Sequence, residues 1–387
     1  MPRKKSVYAE VEPAVLKWAV ESSGWADGEI AKKIRISPNS LLSWKKGEEQ
    51  PTITQLDNLA KALRRPLSAF FLPSPPEEKP MPKDYRMLPD REGEFDKKTI
   101  LAIRKARRLQ RIGGELAENL GIRLEPMISR TTTLTNPAKQ AEKYMAEFEF
   151  DEKKRKKFKT PYQLFNFIRE SIEDKNIFVF QFPMPVDDAR GFALADDTPA
   201  IIVVNSKDMI EARTFTLMHE FGHILLKDTS ISMPEKSLLQ NTGQKFEKWC
   251  NDFASSFLLP ESEANKIFKL FHSTLTETKT LSKLSGIYKV SKAMLLYNMR
   301  KLNFISKSQY KSVLERYLKK KPEAKKKKSK GFGAISADKK CIREKGQKFV
   351  SLVISNAEKG LITHSDTLNY LGIKSKSLDK VWRGAKR

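Results

Sequence analysis

The sequence predicts an α+β chain that is mostly helical: an all-α segment first, a small sheet near the middle, and helices to the end. Three observations carry this. Apolar residues recur at helical spacing from about residue 13 to 63 and again from 100 to 174. Two short β-rich runs, Ile177-Phe178-Val179-Phe180-Gln181-Phe182 and Ala200-Ile201-Ile202-Val203-Val204, interrupt that pattern. Helical spacing resumes after Pro260. A length of 387 residues allows two or three domains with substantial cores.

The first domain is expected over 8–74 as four or five short helices. Glu12-Pro13 opens one helix, with Val15, Leu16, Ala19 and Val20 as its apolar face, and Asp27 to Ile34 supplies the second. A tight turn at Arg35-Ile36 leads to Ser37-Pro38, an N-cap followed by proline at the first helical position. The third helix runs to Lys46 and stops at Gly47, and a fourth covers Thr54 to Leu63. Two short helices joined by a tight turn fit a helix-turn-helix, whose second helix reads the major groove. The pattern Ile30-Ala31, Ile36-Ser37, Leu41, Trp44, Gly47 and Gln50-Pro51-Thr52 resembles the XRE (Cro/repressor-like) family. Leu41 and Trp44 are expected in the core. Pro38, Asn39, Ser40 and Ser43 face outward as base-edge candidates, and Lys45 and Lys46 as phosphate contacts on double-stranded DNA. The domain is only modestly basic, so tight binding calls for a homodimer or for help from elsewhere in the chain.

A proline-rich connector over 75–95, with Pro75, Pro76, Pro80 and Pro82 at its start, is expected to be extended and semi-rigid. A basic amphipathic helix follows over Ile100 to Leu120, then helices at 136–155 and 160–174 and the two β-rich runs.

His219-Glu220-Phe221-Gly222-His223 uses two of only four histidines in the chain. On a helix, a four-residue step puts both imidazoles on one face, where both can ligate one Zn²⁺, and leaves Glu220 placed to take a proton from activated water. The flanks, Ala212 to Met218 and Ile224-Leu225-Leu226, contain no proline and support a helix. A third protein ligand is required. The metzincin spacing is excluded, because Ile224 to Thr229 holds neither the glycine nor the third histidine. Glu247 is the better candidate. It opens a second amphipathic helix that continues to Leu259 and stops at Pro260, which would give a His2Glu site. Asn251, one turn later, can hydrogen-bond a ligand, and Cys250 on the same helix is a rival ligand.

The runs Arg213 to His223, Glu247 to Ala254 and Leu258-Leu259-Pro260 resemble the ImmA/IrrE-type zinc metallopeptidases, as do Arg190-Gly191-Phe192-Ala193-Leu194 and Pro199 to Asn205 upstream. The resemblance spans roughly 95–318. It implies a zincin-like fold with a small sheet, with His219, His223 and Glu247 as zinc ligands and Glu220 as catalytic base. A zincin presents an edge strand for an extended peptide, and residues 200–205 are assigned that role. His272, Tyr288 and Tyr297 are candidates to assist at the oxyanion, set against plain structural roles.

Beyond Pro260, Leu281 to Ser291 and Met294 to Tyr297 have a helix-turn-helix look, but the family resemblance favours packing on the peptidase domain, expected over 96–318. Lys319 to Lys330 holds eight lysines and is expected to be a linker (319–332) ahead of a small helical tail domain (333–387), where His364 is a surface residue. The net charge is +26, and residues 319–387 carry 20 Lys+Arg against 6 Asp+Glu, a net of +14, which suits a polyanion partner or a solvated tail. The absence of an 18-residue apolar run or a leader-like start predicts neither a membrane span nor Sec export. Two distant cysteines, Cys250 and Cys341, fit a reducing cytoplasm. Two functions follow from these readings. One is a DNA-binding regulator with a zinc endopeptidase that cleaves a repressor or other regulatory protein. The other is a DNA-binding or antitoxin-like regulator whose zinc site senses or stabilises without turnover.

Overall fold

In a computed structural model, which describes residues 7–77, 83–84, 95–227, 230–232, 245–319 and 336–385, the chain divides into two units. One comprises residues 1–81 and 89–104, the other 82–88 and 105–387. Most of the proline-rich connector and of the lysine-rich linker lies outside the described residues.

Capping and turn residues set the first unit. Helices α1 (Pro13–Glu21), α2 (Asp27–Ile34), α3 (Pro38–Lys46) and α4 (Ile53–Leu63) precede a 3-10 turn at Leu67–Phe71. Arg35 ends α2 in the left-handed region, and the Ser37 hydroxyl accepts the Ser40 amide at 3.0 Å to start α3. A Cβ on Gly47, which also has a positive φ of 78°, would stand 2.8 Å from the Pro13 ring. Thr52 and Gln55 cap α4 reciprocally. Leu16, Ile30, Leu41, Trp44, Leu56, Leu59 and Phe70 close the core, so Leu41 and Trp44 are buried as expected. The division between units falls within α5 (Lys97–Asn119) at residue 104, later than the boundary at 96 that composition suggested. Residues 97–104 pack with the first unit: the Lys97 ammonium lies 3.7 Å over the Trp25 ring, and Arg104 donates to the Leu63 carbonyl at 3.3 Å.

The second unit is built on a small sheet. Its strands are β1 (Lys83–Asp84), β2 (Phe178–Phe182), β3 (Gly191–Leu194), β4 (Ile201–Asn205) and β5 (Ser230–Ser232), in the order β1-β5-β3-β4-β2. β4 pairs parallel with β2 (Phe178↔Ile201) and antiparallel with β3 (Gly191↔Val204). It is an interior strand, so the expectation that 200–205 offers a free edge is overturned: both of its hydrogen-bonding sides are taken. Strands β2, β3 and β4 are buried along their whole length, as near-continuous apolar runs require.

Helices cover both faces. α8 (Pro161–Glu173) and α9 (Ile210–Leu225) pack on one, where Val179, Ala193, Ile202 and Val204 join Phe165, Leu217 and Phe221. The helix expected over 136–155 is two helices, α6 (Pro137–Glu147) and α7 (Glu152–Lys157). Glu149 takes a φ of 51° between them, and Asp151 restarts the chain by capping the Lys154 amide at 2.6 Å. α10 (Lys245–Leu258) lies against α6 and α9. α11 (Glu261–Leu270), α12 (Thr278–Tyr288), α13 (Lys292–Lys301) and α14 (Lys307–Lys319) follow. The α12–α13 pair places Leu281, Leu284, Leu295, Leu296 and Met299 in the same apolar cluster as Phe221 and Phe253. That packing is the role the sequence favoured for it.

The C-terminal helices α15 (Ala337–Lys345), α16 (Gln347–Glu358), α17 (His364–Leu371) and α18 (Leu378–Ala385) do not stand apart as a tail domain. Phe349 meets Phe178 and Phe180 edge-on at 5.6 and 5.5 Å, and the Gln181 amide donates to the Arg343 carbonyl at 2.8 Å. Among the described residues, no helix is long and apolar enough to cross a membrane.

Candidate functional site

Helix α9 is buried on almost every side, which sets its polar side chains inside the unit. Its approach is fixed by Asn205, fully buried, whose side chain accepts the amides of Met184 (3.2 Å) and Lys207 (3.0 Å) and donates to the Ala189 carbonyl (2.8 Å). A buried Arg190–Asp208 ion pair ties the start of β3 to the loop that enters α9. From this helix His219 and His223 project on one face, with ring centroids 4.9 Å apart and Nε2 atoms 3.1 Å apart.

Glu247 reaches the same point from the first turn of α10, a position the helix dipole favours for a carboxylate. Its Oε1 lies 3.1 Å from His223 Nε2 and its Oε2 3.4 Å from His219 Nε2. Donor atoms about 2.0–2.1 Å from a tetrahedral Zn²⁺ lie roughly 3.3–3.4 Å from one another, so two imidazole nitrogens and a carboxylate oxygen at these separations fit that ion. All three side chains are buried, and together they are a cluster of the kind that holds a metal.

Two glycines set the spacing. A Cβ on Gly222 would meet Cys250 Sγ at 3.0 Å and Cys250 Cα at 3.4 Å, so glycine lets α9 and α10 close on each other. A Cβ on Gly191 would meet Thr216 Cγ2 at 2.6 Å, the Val203 carbonyl at 2.7 Å and Glu220 Oε1 at 3.4 Å. β3 therefore runs close beside the Glu220 carboxylate. Neither spacing role was read from the sequence, although glycine between Glu220 and His223 was a visible hint.

Cys250, the rival ligand, is not part of the cluster. Burial pushes its thiol up to about 11, against the opposing pull of the adjacent His223, and keeps it protonated at neutral pH. Asn251 is buried one turn beyond Glu247. The Tyr297 hydroxyl donates to Asp252 at 2.8 Å, and burial together with Glu263 pushes the Tyr288 phenol up to about 12. His272 is exposed.

On α3, Pro38 and Asn39 are exposed, and Ser40 and Ser43 are half-buried. The Ser40 hydroxyl lies 2.8 Å from that of Ser37, within the cap. Lys45 is held by Asp27 at 2.9 Å, which links α2 to α3 rather than leaving the ammonium free for phosphate. Lys46 is exposed, 3.7 Å from Glu48. Leu42, 43 % exposed on the outward face, was not singled out.

A compact helical reader preceding a sheet with a buried two-histidine, one-carboxylate cluster is the arrangement of a DNA-binding protein joined to a metallopeptidase-type domain. Comparison with known families agrees: residues 16–70 match the helix-turn-helix family, and residues 172–300 match the IrrE N-terminal-like domain, a peptidase family. The chain is a fusion of these two domains, as the motifs suggested. No curated protein matches it.

Proposed function

We propose that the chain is a DNA-binding transcriptional regulator whose second unit is a zinc-dependent endopeptidase acting on a protein, a repressor or other regulatory protein being the expected class. The buried triangle of His219, His223 and Glu247 carries this reading, because its chemistry and spacing suit Zn²⁺. His219, His223 and Glu247 would hold the zinc, which would supply Lewis-acid polarisation and lower the pKa of water. Glu220, the residue after His219 on the same helix, receives the proton from the attacking water and delivers it to the departing amine nitrogen. The walls of α9, α10 and β3 hold that carboxylate away from bulk water. Asn251 supports Glu247 from the next turn of α10. In the first unit, Pro38, Asn39, Ser40 and Ser43 would meet base edges and Lys46 phosphate, with Lys45 acting through its pair with Asp27. The polyanion-binding charge of the C-terminal region and a dimeric arrangement on DNA belong to the same proposal.

The test is Glu220→Gln in the full chain, with metal content measured alongside cleavage of proteins co-expressed from adjacent genes. Retained zinc with cleavage lost by at least ~100-fold supports the peptidase. If zinc-loaded wild type cleaves nothing and the Gln variant regulates as well as wild type, the sensing or structural reading replaces it.

A further inference from the structure

A cleft of about 500 Å³ opens in the second unit between α8, β2, the first turn of α9 and the C-terminal helices, well within the size range of small-molecule sites. Its walls combine the apolar side chains of Phe165, Ile210 and Ile342 with a group of cations, Arg213, Lys339 and Arg343, and with two carboxylates, Glu170 and Glu173, the latter held by Arg169.

The deepest of these cations is Arg213, which is buried. Its Nε donates to the Asp208 carbonyl at 2.7 Å and its Nη1 to the Gln181 side-chain oxygen at 3.1 Å, both neutral acceptors. The nearby Asp208 carboxylate is taken by Arg190. Among the described residues no carboxylate pairs with Arg213. Arg169, lining the same cleft, differs: it is saturated by Glu173 at 3.1 Å, by the Arg343 carbonyl at 2.8 Å and by the Val179 carbonyl. Arg169 therefore serves the fold, whereas Arg213 is a buried guanidinium on the wall of a cavity whose direct hydrogen bonds go to neutral acceptors, with Tyr162, Asp208 and Glu211 near it but not paired to it. Burial pushes Arg213 down from the ordinary arginine value and the adjacent Arg343 adds to that push, against the opposing pull of Tyr162, Asp208 and Glu211. Buried charge without a direct ionic partner is costly, and an anion between two guanidiniums lowers that cost with charge-assisted hydrogen bonds.

We propose that this cleft binds a small organic anion, its carboxylate or phosphate held by Arg213 with Arg343 and Lys339 and its apolar body against Phe165 and Ile210. Arg213 lies in the first turn of α9, six residues before His219, so such a ligand would grip the helix that carries the metal-site histidines.

The experiment is calorimetric titration of the full chain with benzoate, phenyl phosphate, inorganic phosphate and neutral benzamide, repeated on chelator-treated protein. The expected result is saturable binding of benzoate or phenyl phosphate below ~1 mM, no binding of benzamide, and weaker binding of inorganic phosphate. The stronger of the two aryl anions identifies the head group. Arg343→Gln and Lys339→Gln, both at exposed positions, should each weaken binding, Arg343→Gln by ~10-fold, and Arg213→Gln should abolish it. Chelation should leave these affinities unchanged, which separates this site from the peptidase reading. Absence of saturable binding to wild type at about 10 mM would overturn the proposal. So would unchanged affinity in Arg343→Gln, or equal binding of inorganic and phenyl phosphate.

Discussion

Gly191→Ala probes how closely the sheet approaches the α9 helix. The new methyl would stand 2.6 Å from Thr216 Cγ2 and 2.7 Å from the Val203 carbonyl oxygen, where carbon contacts settle at about 3.5–4.0 Å. The threonine methyl has some freedom to move. The carbonyl does not, because it belongs to β4, whose register with β3 (Phe192↔Val203) and β2 (Phe180↔Val203) is fixed by the ladder. Relief requires β3 to part from β4 or from α9, and overpacking of this kind costs about 2–3 kcal/mol. Gly286→Ala is the control: it lies within α12 with nothing inside 4 Å of the added carbon, so it should stabilise by about 0.5–1 kcal/mol through helix propensity. Urea unfolding of the full chain, read by hydrogen exchange at β3 and β4, measures both. The double variant Gly191→Ala/Thr216→Ser should recover only part of the loss. Stability of Gly191→Ala within about 0.5 kcal/mol of wild type, or full recovery in the double variant, would refute the argument that the Val203 carbonyl limits the approach.

Glu247→Ala should lower zinc affinity by more than ~100-fold, beyond the scale of losing an outer partner, while Cys250→Ser leaves it near wild type; metal competition titrations decide, and equal affinity in Glu247→Ala removes it from the site. Burial, reinforced by Lys105, holds the Lys345 ammonium down at about 8, so the unfolded chain carries the extra proton between pH 8 and the ordinary value of 10.5 and stability rises with pH across that window. Lys345→Met should abolish that rise and add as much as roughly 3 kcal/mol at pH 7, measured by unfolding at several pH values; a persisting rise of the same size counts against it. Asn39→Ala should cost about 1–3 kcal/mol at a cognate DNA site and little on random DNA, and a uniform loss on both would reassign Asn39 to backbone contact.

Local signals transferred well from sequence to structure. Ser37-Pro38 and Gly47 bounded the recognition helix, and Leu41 and Trp44 took the core positions that their spacing required. The two histidines and Glu247 converge because α9 and α10 pack directly on each other, with Gly222 seated against Cys250. Long-range pairing was less visible. Nothing within Ile201 to Asn205 reveals that β3 and β2 occupy both of its sides, since an apolar run reads the same at an edge or in the middle of a sheet. The C-terminal helices looked like a separate tail because lysines precede them, yet Phe349 belongs to the aromatic layer of Phe178 and Phe180. Truncation at 319 would therefore expose that layer, so it cannot isolate the charge effect of the lysine run. Lys45 was read from its sign alone, and its capture by Asp27 depended on a neighbour 18 residues away.

The close seating of Cys250 on Gly222 bears on how an ion would come and go. α10 is held by contacts that involve no ion: the Trp249 indole donates to the Thr135 carbonyl at 2.7 Å, while Phe253 meets Tyr144 at 6.3 Å and Phe221 at 6.1 Å. Where an ion must gather its own ligands, chelation dissolves the domain and the ion is a permanent rivet. Here the three proposed ligands stand on helices anchored by other contacts, so under the zinc proposal a chelator should withdraw the ion from a domain that stays folded and ready to reload. Occupancy would then follow the free metal concentration around the protein rather than the history of its folding.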